Sequence, residues 1–424
     1  MTQLLQHFDY VLNNYLDNSE TDVIYLDYAK AFDKVDHTLL LKKVKAYGIQ
    51  GELYTWIEQF LLNRSQIVVV DGKHSRPMPV ISGVPQGTVL GPILFLMYIN
   101  DLEKYIQDCK ISSFADDTRI GRKISTLDDC KLIQDDLDRV IQWSLDNNME
   151  LHEDKFELLC YRTPASKILS DALPFMDDVT HYTTPNGTSI EKQALVRDLG
   201  VNMSEDFSWS PQINIMVDKA NQVAAWVLGV FKNRSKEVML QLFKSLIRSR
   251  VEYCCPLWNP TKIADIQSLE SVQRQFTRRI LGLKHTNYWD RLKILKISSL
   301  QRRRERYTVI HMWKIHQKIC PNDMEIQFTE NARLGVKVAL PSLPKKSTAA
   351  AISTYDNSFA VKAGKLWNTL PKEVNCQVTL TSFKVALGKF LDALPDEPPT
   401  LGYTAGNHNS IVDWCSQGGG PRMA

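Results

Sequence analysis

Val23-Ile-Tyr-Leu26 is a continuous β-rich run that ends on a carboxylate, Asp27, before a polar, helix-compatible stretch. An apolar run without polar alternation suits a strand buried on both faces, which needs packing layers on either side. A carboxylate at the end of such a strand is costly to bury without a positive partner, and a hard divalent cation is an obvious one. The chain therefore reads first as a mixed α/β fold whose central strand delivers charge to its own end.

A second pair of carboxylates follows a second short run. Ile111 to Ala115 is strand-like and bounded by polar residues, and Asp116 and Asp117 come next in Phe114-Ala-Asp-Asp-Thr118, at a turn where both can reach one site. Adjacent aspartates alone say little. Asp128-Asp129, Asp135-Asp136 and Asp177-Asp178 are also pairs, in polar surroundings that read as helix faces or loops. The 89 positions between Asp27 and Asp116 do not bring them together; a fold has to.

The third segment is Ser82-Gly-Val-Pro-Gln-Gly-Thr-Val-Leu-Gly-Pro92, followed by the apolar Ile93 to Ile99. Glycines let backbone approach a ligand closely, and Pro92 after Gly91 suits the first turn of a helix. An ordinary turn before a core helix would account for each glycine and proline singly. It does not account for the three segments in this order.

Together the segments resemble those of a reverse transcriptase of the non-LTR (LINE-type) retrotransposon class, most like the Jockey and CR1-like groups. Leu26-Asp-Tyr-Ala-Lys-Ala-Phe-Asp-Lys-Val-Asp-His37 resembles motif A, Ser82 to Pro92 motif B, and Phe114 to Thr118 motif C. Leu151 to Leu159, with Lys155, resembles motif D, and Arg197-Asp-Leu-Gly-Val201 the lead into the thumb. The likeness continues through Tyr253 to Asn259, Gln273 to Leu283 and Leu366 to Pro371.

The resemblance implies an RNA-directed DNA polymerase that extends a DNA primer on an RNA template with deoxynucleoside triphosphates. It implies that Asp27 and Asp116 hold two Mg2+ ions, or Mn2+ in their place, with Asp117 beside them. Such ions clamp the attacking and leaving oxygens of phosphoryl transfer. Phe32 matches the steric gate that crowds a ribose 2′-hydroxyl, although a core aromatic is the plainer reading of that position. Gln86 and Gly87 would line the pocket for the incoming nucleotide and template base. Lys155 would donate a proton to pyrophosphate, the alternative being an ordinary solvated lysine. Asp33 and Asp36 read as surface or capping carboxylates.

Net charge is +3, but it is unevenly spread. Met1 to Cys160 holds 16 Lys/Arg against 25 Asp/Glu, and Lys232 to His316 holds 19 against 6. The basic stretch includes Arg302-Arg303-Arg304 and is interleaved with Trp258, Phe276, Tyr288, Trp289 and Tyr307, a pattern suited to a phosphate backbone with aromatic support. A helical bundle with solvated basic faces is the alternative. The eight cysteines include no Cys-x-x-Cys pair and no array with zinc spacing, which suits a reduced chain. The longest apolar run, Ile93 to Ile99, is too short to span a bilayer, so no membrane partner is expected. The presumed chromosomal primer places the work in the nucleus, with a cytoplasmic ribonucleoprotein stage.

The expected fold class is α+β, a reverse-transcriptase palm with a mixed sheet and helices on one face, followed by a mainly helical thumb and C-terminal region. The expected domains are a palm over 1–205, a basic helical thumb over 206–320, a helical region over 321–395 and a disordered tail over 396–424. Thr126 to Asn148 has helical spacing with Ser125 or Thr126 available as a cap, and 162–190 reads as loop and small hairpin. Against the family pattern, few residues precede motif A, so fingers and an upstream endonuclease are expected to be missing. A catalytically inactive, nucleic-acid-binding remnant of such an element is the rival function. An RNA-directed RNA polymerase or a group II intron maturase is a third; Phe32 argues against ribonucleotides, and no zinc nuclease motif supports the maturase.

Overall fold

Five strands organise residues 18–196: β1 (Glu20–Leu26), β2 (Lys110–Phe114), β3 (Asp117–Ile124), β4 (Glu157–Tyr161) and β5 (Glu191–Lys192), in the spatial order β2-β3-β1-β4-β5. The structure is a computed structural model and describes residues 1–162, 182–343, 349–401 and 409–416. The β4–β5 pair is parallel and the others are antiparallel, so the sheet is mixed. β1 lies between β3 and β4 and is buried at every residue except Tyr25.

One face of the sheet carries the main core. Ile24, Leu26, Ile120, Ile124 and Leu158 pack with Leu40 and Val44 of helix His37–Ala46, Phe95 and Tyr98 of Leu90–Ile99, and Ile133, Leu137 and Val140 of Leu127–Asp146. The α+β architecture with helices on one sheet face is thus the one expected. Side chains alternate along a strand, so Val23 and Leu159 point to the opposite face, and they lie outside this cluster.

The helix Leu127–Asp146 is held where the sequence pattern places it. Thr126 accepts from Asp129 N and the Asp129 carboxylate accepts from Thr126 N, a reciprocal capping box. Asp136 departs from its expected solvated surroundings. It is fully buried and accepts from the backbone N–H groups of Gln107, Asp108 and Cys109 at 3.0, 2.8 and 2.7 Å. Arg139 pairs with the same carboxylate at 2.5 Å. These bonds fasten the segment that runs directly into β2. Asp177-Asp178 and most of the expected 162–190 loop lie outside the described residues.

Residues Met1–Asp17 and Arg197–Ala424 form a second compact unit, divided from the first after Asp17 and after Val196. Helix Thr2–Leu16 joins this unit through Phe8 and Tyr15, which meet Phe207, with Phe8 also against Trp209. Long helices follow at Ser210–Val230, Ile263–Thr277, Leu300–His316, Phe359–Thr369 and Leu380–Asp392. Trp367 is buried, lies 6.1 Å from Phe383, which stacks on Trp313, and donates to Val336 O, so it completes a core.

Two expectations fail here. The arginine run is not a phosphate-facing surface: Arg302 and Arg304 are 2% and 0% exposed, and Arg303 forks onto Glu252. Arg302 donates to Leu391 O and Pro395 O, and Arg304 to Asn259. Trp258, Phe276 and Tyr288 are likewise core, because helical spacing turned them inward with the arginine stems. The tail is not structureless from 396. Asp396 accepts from Ser299 N and Oγ at the start of helix Leu300–His316, Ile411 N donates to Glu305, and Ile411–Ser416 is helical. Residues 402–408 and 417–424 lie outside the described residues.

The buried Asp136 gives a pH test. Burial works against its charge, but three backbone donors and Arg139 outweigh it and depress the carboxyl below the ordinary aspartate value of 3.8. A depressed folded value contributes stability that is present above the unfolded value and is lost as pH falls through the folded one. Asp136→Ala should destabilise the fold by about 3 kcal/mol at neutral pH, since it strands three N–H groups. The gap from wild type in urea midpoint should shrink once pH drops below 3.8. A gap that stayed constant would show that Asp136 is not held as an anion.

Candidate active site

Asp27 is the residue after β1, and the two ladders of that strand decide its neighbours. Against β3 the register ends at Leu26 opposite Thr118, so the next step sets Asp27 opposite Asp117. Against β4 the register ends at Tyr25 opposite Glu157; a short helical turn, Glu153–Lys155, interrupts it, and pairing resumes three residues shifted at Tyr28 opposite Leu151. His152 N donates to Asp27 O at 2.8 Å, and Lys155 reaches back from the turn with its Nζ 2.8 Å from Asp27 Oδ2. Asp27 and Asp117 therefore share the sheet face opposite the helix-covered core, and Lys155 joins them through its side chain.

The β2–β3 hairpin presents the aspartate pair. Phe114 pairs with Asp117, leaving Ala115 and Asp116 as the connection. Ala115 adopts φ +55°, a region disfavoured for a residue with a Cβ, and such strain collects at functional turns. Asp117 is exposed as a residue, yet partial desolvation first, then the neighbouring carboxylates Asp116 and Asp27, push its carboxyl above the usual aspartate range, against a pull from Arg119. Three carboxylates share one end of the sheet, and Asp27 is ion-paired with Lys155.

That donor set fits a hard divalent cation in type, and the raised Asp117 carboxyl reflects its partial desolvation first and the negative charge of Asp116 and Asp27 second. Among the described residues, no three carboxylate, histidine or cysteine side chains converge as a finished metal site. Asp27 is turned to Lys155 instead.

Motif B is bolted to motif A. After Asp27 the chain passes Lys30, at φ +54°, into a one-turn helix, Ala31–Lys34. Gly83 N donates to Val35 O, Val84 N to Phe32 O, and Ser82 Oγ to Asp33 O. His37 and Arg64 both reach Gly83 O, at 2.8 and 3.1 Å. Gln86 Nε2 donates to Asp33 Oδ1 at 2.9 Å. A carboxylate only accepts, so the amide nitrogen faces Asp33 and the amide oxygen is left to face outward. Gly87 has φ +75° and nothing within 4 Å of where a Cβ would stand, which leaves its backbone open to a ligand. Phe32 is half-buried and stacks on Phe95 with centroids 4.2 Å apart, so a core contact fixes its ring.

Asp36 caps helix His37–Ala46 through Leu39 N, as its type suggested. Asp33, His37 and Arg64 were not singled out as supports. Their contacts are long-range and leave no spacing signal; only the glycine in Ser-Gly-Val-Pro marks the close approach.

Residues 4–203 match the family model described as "Reverse transcriptase (RNA-dependent DNA polymerase)". They are a reverse transcriptase domain. The chain is 26% identical over 279 residues to the RNA-directed DNA polymerase from mobile element jockey of Drosophila melanogaster, covering 63% of this chain and 29% of that protein. It is 24% identical over 292 residues to the probable RNA-directed DNA polymerase from transposon X-element of the same fly, covering 66% and 30%. A retrovirus-related Pol polyprotein from type-1 retrotransposable element R2 of Popillia japonica is 31% identical over 126 residues, or 27% and 20% of the two chains. A solved telomerase from Candida albicans superposes at TM-score 0.43 with 10% identity, over 73% of this chain and 48% of that one. The chain spans less than a third of the length of the jockey and X-element relatives.

The glycines of this reverse transcriptase domain separate clash from backbone strain. A Cβ at Gly83, which has φ +86°, would lie 2.9 Å from Asp33 Cα and O. Gly83→Ala should cost about 2–4 kcal/mol, whereas Gly87→Ala, with strain but no clash, should cost about 1 kcal/mol. Equal losses in denaturant unfolding would show that motif B is not seated on Asp33.

Proposed function

We propose that this chain is the polymerising part of a non-LTR retrotransposon reverse transcriptase, copying an RNA template into DNA from a DNA primer with deoxynucleoside triphosphates. The observation that carries the reading is the meeting of Asp27 with Asp116 and Asp117 at one end of the sheet, inside a domain of this family. Asp27 and Asp116 would hold two Mg2+ ions, with Asp117 beside them. When bound, such ions supply activation of the primer 3′-hydroxyl and neutralise triphosphate charge.

The chain's own groups do the rest. Gln86, its amide nitrogen held by Asp33, offers an oxygen acceptor to a donor on the incoming nucleotide, and Gly87 gives backbone access. Phe32, braced on Phe95, crowds the 2′ position of the sugar. In the reaction the primer 3′-oxygen loses its proton to solvent and bonds to the α-phosphorus. The bond from that phosphorus to the bridging oxygen breaks, and pyrophosphate takes a proton from the Lys155 ammonium. Solvent-exposed cations of the helical unit, Lys232, Arg278, Arg279, Lys284, Lys293 and Lys296, support a phosphate-backbone partner in place of the buried arginine run.

Primer extension on poly(rA)/oligo(dT) with Mg2+ and labelled dTTP tests the reading. Incorporation should fall by about a thousandfold or more in Asp116→Ala and Asp27→Ala. No incorporation by the wild-type chain, together with salt-sensitive binding of the same duplex, would overturn it in favour of a binding remnant. Phe32→Val should raise the use of ribonucleotides by about 10- to 100-fold relative to deoxynucleotides. Unchanged selectivity would leave Phe32 a packing residue only.

A further inference from the structure

We propose that Lys155 is an internal competitor for the metal at Asp27, so that binding of a divalent cation and the Lys155–Asp27 ion pair exclude one another. The inference rests on the metal role of Asp27 given above and assigns Lys155 a second duty, which precedes its proton transfer.

Lys155 Nζ sits 2.8 Å from Asp27 Oδ2, one of the two carboxylate oxygens that Asp27 has to offer a cation. One oxygen engaged by an ammonium hydrogen bond at that distance is a poor ligand until the ammonium leaves. The pair is placed by backbone as well as by charge: His152 N donates to Asp27 O, Lys155 N to His152 O, and Leu151 bridges Tyr28. Lys155 is nonetheless 59% exposed against 33% for Asp27, so its side chain is free to swing out. The other two carboxylates are in the opposite condition. Asp117 faces Asp116 and Asp27 with only Arg119 pulling the other way, and the three aspartates do not converge while Asp27 faces Lys155.

An ammonium here is a monovalent placeholder. It relieves repulsion among the aspartates without satisfying them, and a divalent ion that brings them together displaces it. The freed ammonium then lies beside the phosphates that enter with the metal, where its proton is needed. The arrangement couples general acid to cofactor, because Lys155 becomes available when Asp27 is taken.

The coupling is read without any nucleotide, template or primer. Mn2+ titrations of the full chain, followed by the electron paramagnetic resonance of free Mn2+, give the affinity of the site. An exposed ion pair is worth at most about 1 kcal/mol, so Lys155→Ala should bind Mn2+ about two- to fivefold more tightly than wild type. Lys155→Arg, which keeps the competing cation, should stay near wild type. Lys34→Ala removes one positive charge of the same unit from a pair with Glu150 and not from Asp27, and should change nothing. Equal affinities for wild type and Lys155→Ala, or the same gain in Lys34→Ala, would overturn the proposal, as would the absence of Mn2+ binding by the wild-type chain. A chain that shows the linkage yet incorporates no nucleotide would overturn the polymerase reading and leave the competition standing.

Discussion

Because β1 is hydrogen-bonded on both sides, from Glu20 to Leu26 against β3 and from Thr21 to Tyr25 against β4, two ladders set the position of Asp27 at once. A slip of one residue in either ladder would turn its side chain to the opposite face, into the cluster formed by Ile24, Leu26 and Ile120. That cluster resists the slip, since burying a carboxylate among apolar groups costs several kcal/mol, on the order of 2–7 for an unpaired polar group. The packing of the helix-covered face therefore determines what stands on the other. Asp117 inherits its place from the β3 register, while Lys155 reaches Asp27 from the helical turn that interrupts the β4 ladder, and the site is in this sense a by-product of the core.

Motif B depends on the same frame at one remove. The turn after β1 carries Phe32 and Asp33, and the Ser82–Gln86 segment is hydrogen-bonded to that turn at four points. Phe32 stacks on Phe95 of the helix that follows motif B, so the loop is gripped at both ends. Two segments about fifty positions apart behave as one rigid piece. A backbone platform of this kind can hold a side-chain amide in one orientation at little entropic cost, because the turn is already ordered before any ligand arrives.

Strand β1, the hairpin at Asp116, the helix over Leu127–Asp146 and the α+β class were all legible, since each leaves a local signal: an apolar run, a turn after a run, a cap before a periodic stretch. The placing of Asp27 opposite the hairpin was not, as spacing carries no distance; the resemblance implied it, and the β1–β3 register sets Asp27 opposite Asp117. Hidden for a different reason were Asp33 on Gln86, Asp136 on the backbone of 107–109, and Asp396 on Ser299. A carboxylate that accepts from a distant backbone looks in the sequence like any surface aspartate. The arginine run misled in the reverse direction. Its charge suggested an outer surface, while a helix buried on nearly all sides carried Arg302, on the face of Val309 and Trp313, and Arg304, on another face, inward.

The buried and the exposed charges divide the work along that line. Asp136, Arg302 and Arg304 are out of water and bonded to backbone or amide groups, and Glu270 accepts from Tyr288 and Gln301 N. Groups enclosed in this way are held in one geometry and are closed to a ligand from solvent. Asp116, Asp117, Lys155, Gln86 and Gly87 are at least partly open to solvent, and each keeps an acceptor, a donor or a backbone group in reserve. For phosphoryl transfer this is the useful asymmetry. On the proposed reading these groups exchange partners during the reaction, Lys155 from carboxylate to phosphate and the aspartates from one another's repulsion to a cation. They can do so cheaply only at the rim of a sheet whose interior charges do not move.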